Sequence, residues 1–167
     1  MKTYKDKISK LDENQVFVFG SNLDGFHGGG SAGFASFGSG LSFRDLDYFN
    51  KPNGWKGKWN VKGDGIGFQQ GTEGRSYALP TVVHAGARRS LSMNEIRGYI
   101  KDFYNFCLFH GDLEFLVAYG VENMNLNGYS SFEMAEMFAT CGIDIPSNVV
   151  FQEDFYQLIL EILGKNI

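Results

Sequence analysis

A chain of 167 residues, 43% hydrophobic and 16% aromatic, is long enough to bury a full core as one domain and too apolar to be disordered. Its formal net charge of −4 argues against an electrostatic grip on duplex nucleic acid, which needs a basic face. Two cysteines, Cys107 and Cys141, with no CxxC and three histidines make a poor zinc inventory, so neither a metal nor a cofactor is expected. In chain order, residues 1–15 are charged and read as peripheral. Neither they nor any later stretch forms an apolar run of membrane-span length, which predicts a cytoplasmic protein without membrane contact. Residues 16–20 read as a buried strand, short, β-branched and aromatic. Residues 30–40 suit a short helix weakened by Gly33, Gly38 and Gly40. Trp55 and Trp59 alternate with Lys56 and Lys58 after a Pro-Asn-Gly turn, as in a hairpin or flap.

Ser76 to Leu79 reads as a second strand, stopped by Pro80. Ser92-x-x-Glu95 is a capping box opening a helix with Ile96, Tyr99, Ile100, Phe103, Phe106 and Cys107 at helical spacing. Gly111 is the expected stop. Phe115 to Tyr119 is a third strand ending at Gly120. Ser130-x-x-Glu133 caps a second helix carrying Met134, Met137, Phe138 and Cys141 on one face. Asn148 to Phe151 is a fourth strand, and Phe155, Leu158, Ile159, Ile162 and Leu163 define a last helix. Strands alternating with helices predict an α/β fold: a three-layer α/β/α sandwich with a mixed, mostly parallel sheet. Ligands of such sheets sit beyond the carboxyl ends of the strands.

The densest chemistry lies at Gly20-Ser21-Asn22-Leu23-Asp24-Gly25-Phe26-His27-Gly28-Gly29-Gly30-Ser31. Glycines after a strand let a ligand approach the backbone, and a following helix adds its positive end. That pattern points to phosphate binding. Gly28, Gly30 and Gly33 match G-x-G-x-x-G by count, but seven residues intervene after Gly20, so the dinucleotide fingerprint is a poor fit. There is no Gly-Lys-Ser/Thr, which excludes a Walker loop. The second candidate loop runs from Gly120 to Ser130. There the backbone of Asn127, Gly128 and Tyr129 could hold a phosphate, and the Tyr129 ring could pack on a ribose or base. Asn22, Asp24 and His27 are the catalytic candidates, although Asx groups in turns commonly bond their own backbone. Arg75 could meet a phosphate or a carboxylate.

Phe17-Val18-Phe19-Gly20-Ser21-Asn22-Leu23, the Gly28–Gly30 run, Gly74-Arg75-Ser76-Tyr77-Ala78-Leu79-Pro80-Thr81, Gly120 with Gly128-Tyr129, and Ser147-Asn148-Val149-Val150-Phe151 occur in an order that resembles a macro-domain-like family of small bacterial and phage proteins. The resemblance runs from Val16 to about Phe155. It implies one domain over residues 1–167, with an inserted flap near 42–65. It also implies an ADP-ribose-like or NAD-derived nucleotide as ligand, with Asn22 near the distal ribose and Gly28, Gly29 and Gly30 along the diphosphate. Gly20, Ser21, Ser31, Arg75, Thr81, Gly120, Asn127, Gly128 and Tyr129 complete the implied binding set. Members that remove ADP-ribose from proteins follow their glycine run with a Val-Asp-Gly-type sequence, whereas here Ala32 holds the acidic position. Two other readings stand beside nucleotide binding. One is a hydrolase of ADP-ribosyl or cyclic nucleotide bonds. The other is a phage-type protein that sequesters a host signalling nucleotide or docks on a host protein through Trp55–Trp59.

Overall fold

The computed structural model describes residues 1–26, 32, 35, 65–121 and 125–164. Six strands form one sheet: β1 (Thr3–Tyr4), β2 (Gln15–Asn22), β3 (Gly67–Gln70), β4 (Arg75–Val82), β5 (Glu114–Val117) and β6 (Val149–Gln152), in the order β1-β6-β5-β2-β4-β3. All neighbours pair in parallel except β3, which runs antiparallel to β4 at one edge. The sheet is therefore mixed and mostly parallel. Three helices are described over their full length: α1 (Met93–Phe109), α2 (Ser131–Ala139) and α3 (Glu153–Ile162). Among the described residues, no helix is long and apolar enough to cross a membrane.

Val16, Phe17, Val18 and Phe19 are all buried, because β2 is central and both of its faces are covered. This is why the strand reads as a continuous apolar run rather than an alternating one. Val16, Val18, Leu79, Phe115, Val117, Val149 and Phe151 point to one face, where all three helices pack with Ile96, Ile100, Phe103, Met134, Phe138, Phe155 and Ile159. Phe17, Phe19, Ala78, Leu116 and Val150 point to the other, against Ile8 and the helical residues Ala32 and Ala35. The handedness of parallel crossovers accounts for this division. The connections β4–α1–β5 and β5–α2–β6 step across the sheet in one direction and share a face. The connection leaving β2 toward β4 steps the other way and brings Ala32 and Ala35 to the opposite face.

Both predicted capping boxes form: Ser92 and Ser130 accept from the amides of Glu95 and Glu133, whose carboxylates return to the cap amides. The expected stop at Pro80 does not occur, since β4 continues to Val82. β3 pairs with β4 only as far as Ala78, so Pro80 stands where β4 has a described neighbour, β2, on one side alone and needs no second ladder donor. Gly111 follows the last turn of α1, yet its φ is not in the left-handed region. The helix end is held instead by Asn148, whose Nδ2 donates to the carbonyls of Cys107, His110 and Leu113 at 2.9, 3.1 and 3.1 Å. Cys107 and Cys141 are free and buried, and burial pushes both thiols up.

Candidate functional site

The chain leaves β2 toward β4 on one side and leaves β5 toward β6 on the other. The connections beyond these adjacent strands therefore diverge, which makes this edge the sheet's topological switch point, the place where open α/β sheets take their ligands. The loop after β4 lies beside the loop after β2, and the Leu23 amide donates to the carbonyls of Val82 and Val83. Gly20, Ser21, Asn22, Asp24, Thr81, Gly120, Asn127, Gly128 and Tyr129 all lie in this carboxyl-edge region, at the ends of β2, β4 and β5 or in the loops beyond them.

Most of their polar groups are used internally. Asn22 is buried, with Nδ2 donating to the Phe26 carbonyl at 2.7 Å and Oδ1 accepting from the Phe26 amide at 3.0 Å. It builds the turn after β2 in the way Asx side chains commonly do. The Ser21 hydroxyl donates to the Gly65 and Asn22 carbonyls, and Thr81 Oγ1 donates to the Ser21 carbonyl at 3.4 Å. Gly20 makes room for Tyr119: a Cβ there would stand 2.5 Å from the phenolic oxygen. Burial raises the Tyr119 hydroxyl to about 12, against the opposing effect of hydrogen bonds to the Thr81 and Asn127 side chains.

The second loop is tied down by Arg89. Its amide donates to the Asn127 carbonyl, its Nε to the Gly128 carbonyl and its Nη2 to Glu133, while the guanidinium lies 4.6 Å above the Tyr129 ring. Arg89 does this from a left-handed φ of 56°, unusual for a residue with a side chain. Gly128 has a φ of 91° and lies against the Arg88 and Arg89 side chains. The Tyr129 amide donates to Asn127 Oδ1 and the Gly128 amide to the Asn125 carbonyl. The Tyr129 ring is buried and its hydroxyl donates to the Leu91 carbonyl at 2.6 Å. In the structure these amides and this ring are engaged within the loop itself. The hydrogen bond from the Ser130 amide is the main cause that lowers the Glu133 carboxyl, and Arg89 adds to it.

Three features remain open at the edge. A Cβ at Gly120 would meet nothing within 4 Å. The Arg88 side chain is exposed and makes no hydrogen bond or ion pair among the described residues. His84, just beyond β4, presents its imidazole Nδ1 2.5 Å from Asp24 Oδ2, and both side chains are more than half exposed. Sequence reasoning singled out Asp24 but passed over His84. The available signal was its position immediately after a parallel strand, hidden by ending that strand at Pro80.

Arg75 is separated from this group. It starts β4, opposite Val16 and Gln70, and six residues of strand put it ~20 Å from Thr81. It lines a depression of about 220 Å³ with Asp12, Glu13 and Glu73, and those acidic neighbours oppose phosphate binding there. His27, Gly28, Gly29, Gly30, Ser31 and the Trp55–Trp59 segment lie outside the described residues.

The chain matches no family model, no curated protein and no solved structure at a significant level.

Proposed function

We propose that this chain binds an ADP-ribose-like or NAD-derived nucleotide in the crevice between the loops that follow β2 and β5. The observation that carries the reading is the parting of those loops at the switch point, with the open backbone at Gly120 and with Arg88, whose guanidinium has no partner among the described residues, against Gly128 in the loop after β5. The macro-domain resemblance supports the nucleotide class. Ala32 is buried beside Phe17 and Phe19 and offers no proton acceptor, so the ligand is held rather than stripped from a modified protein.

Isothermal titration and thermal melting with ADP-ribose, NAD, AMP and GDP test this. Ligand at a hundred times its dissociation constant adds about 2.7 kcal/mol to stability. For a domain of this size each kcal/mol is worth roughly 2–4 °C in Tm. Gly120→Glu places a negative charge where the diphosphate must pass, and its Cβ meets no protein atom within 4 Å. Two like charges about 4 Å apart repel by roughly 4 kcal/mol at an effective dielectric near 20. Affinity should fall at least tenfold while the unliganded Tm holds. A flat titration and unchanged melting across the whole panel would overturn the reading.

A further inference from the structure

We propose that Asp24 and His84 form a general-base pair that directs water onto a phosphorus atom of the bound nucleotide. The inference rests on the nucleotide reading above and assigns the reaction at that site. A carboxylate only accepts hydrogen bonds, so the 2.5 Å contact requires His84 Nδ1 to carry the proton it donates to Asp24 Oδ2. In the neutral imidazole the other ring nitrogen, Nε2, then keeps its lone pair. The imidazole is 65% exposed, so Nε2 is accessible to water and substrate. An imidazole oriented through one nitrogen by a carboxylate, with the other free, is the arrangement of an activated base.

The loop that carries His84 is fixed. The Ala87 amide donates to the His84 carbonyl at 3.0 Å and the Val83 amide to Ser90 Oγ at 2.8 Å. The same loop presents Arg88, whose guanidinium has no partner among the described residues and suits phosphate oxygens and the charge they gain during attack. The bond class follows from the groups present. Glycosidic cleavage commonly uses two carboxylates flanking the sugar. Here Asp24 is the carboxylate of the pair, and it is already committed to the imidazole. In the step, the water oxygen forms a bond to phosphorus and His84 Nε2 takes the water proton. The bond from phosphorus to the leaving oxygen breaks, and that oxygen recovers the proton from the imidazolium. No electrons are transferred and no further reactant is consumed.

The test pairs binding with turnover. ADP-ribose, NAD and 2′,3′-cyclic AMP are titrated calorimetrically, then incubated with the protein in ¹⁸O-water and followed by ³¹P NMR. A nucleotide that binds should be cleaved, with the label on phosphorus. His84→Asn should keep its affinity within about twofold and lose about 10²–10⁴-fold in kcat. Asp24→Asn should lose less. Added imidazole should restore part of the rate to His84→Gly, which a merely structural role for the ring would not allow. Binding without cleavage, or cleavage by His84→Asn at the wild-type rate, overturns this inference and leaves the nucleotide reading standing. Absence of binding overturns both.

Discussion

At Gly20 the missing side chain is replaced by another residue's hydroxyl. The Tyr119 oxygen occupies the space, and the nearest other atoms, Tyr119 Cζ and Thr81 Oγ1, lie at ordinary contact distance, 3.4 and 3.5 Å from an added Cβ. Gly20→Ala should therefore cost about 1–3 kcal/mol, the usual penalty of overpacking. In a Tyr119→Phe background the clashing atom is gone, and the same substitution should be nearly neutral. Denaturant unfolding of the two single variants and the double variant measures the coupling, expected at about 0.5–3 kcal/mol. Additive losses would show that the hydroxyl is not what excludes the methyl group. The same residue shows what the sequence could not decide. A glycine at a strand end permits close approach, and the approaching group can equally be a ligand phosphate or an internal tyrosine. Asn22 is similar: an Asx residue at a strand end suits a ligand contact or a turn of its own backbone, and its hydrogen bonds to Phe26 show that it makes the turn.

Among the elements, local signals were legible and distant ones were not. Ser92-x-x-Glu95 and Ser130-x-x-Glu133 declare helix starts within four residues, and both are found. β1 and β3 span two and four residues and become strands only through their pairing with β6 and β4. Asn148 likewise acts far from its own position in the sequence, on the end of α1. Asn148→Ala should leave those carbonyls short of a donor and cost roughly 1–2 kcal/mol. The Tm should drop by about 2–8 °C, at roughly 2–4 °C per kcal/mol. Hydrogen exchange should speed up first in the last turn of α1. A variant with wild-type Tm and wild-type exchange would show that water replaces the amide without loss.

Over the whole molecule, the burial of acidic phenols and thiols sets an alkaline limit. Burial raises Tyr77 and Tyr119 to about 12, and pushes Tyr4, Tyr104 and Cys107 up as well. Each group keeps its proton in the folded state after the unfolded chain has lost it. Stability is therefore fully present below the unfolded values and falls as pH rises through the interval up to the folded ones. Each such group contributes a slope of about 1.4 kcal/mol per pH unit within its interval. Denaturant titrations should be flat to about pH 9 and decline above it, less steeply for Tyr119→Phe; an equal slope in that variant would contradict the assignment. At this scale the alternation of strands and helices made the mostly parallel sheet, and the shared edge of the Gly20 and Gly120 loops, readable in advance. His84 escaped because its partnership with Asp24 depends on two loops meeting after separate strands.

The outermost strand has a consequence in time. Thr3 and Tyr4 pair with Phe151 and Gln152, and the Tyr4 hydroxyl reaches past β6 to the Val117 carbonyl on β5 at 2.6 Å. β1 thus leaves the ribosome long before β6, the strand it pairs with. Closing so long a loop is entropically costly and repaid only once β5 and β6 are in place. The nucleus of folding should form without β1, around β2, β4 and β5, and β1 should dock last, as a latch that slows unfolding more than it speeds assembly.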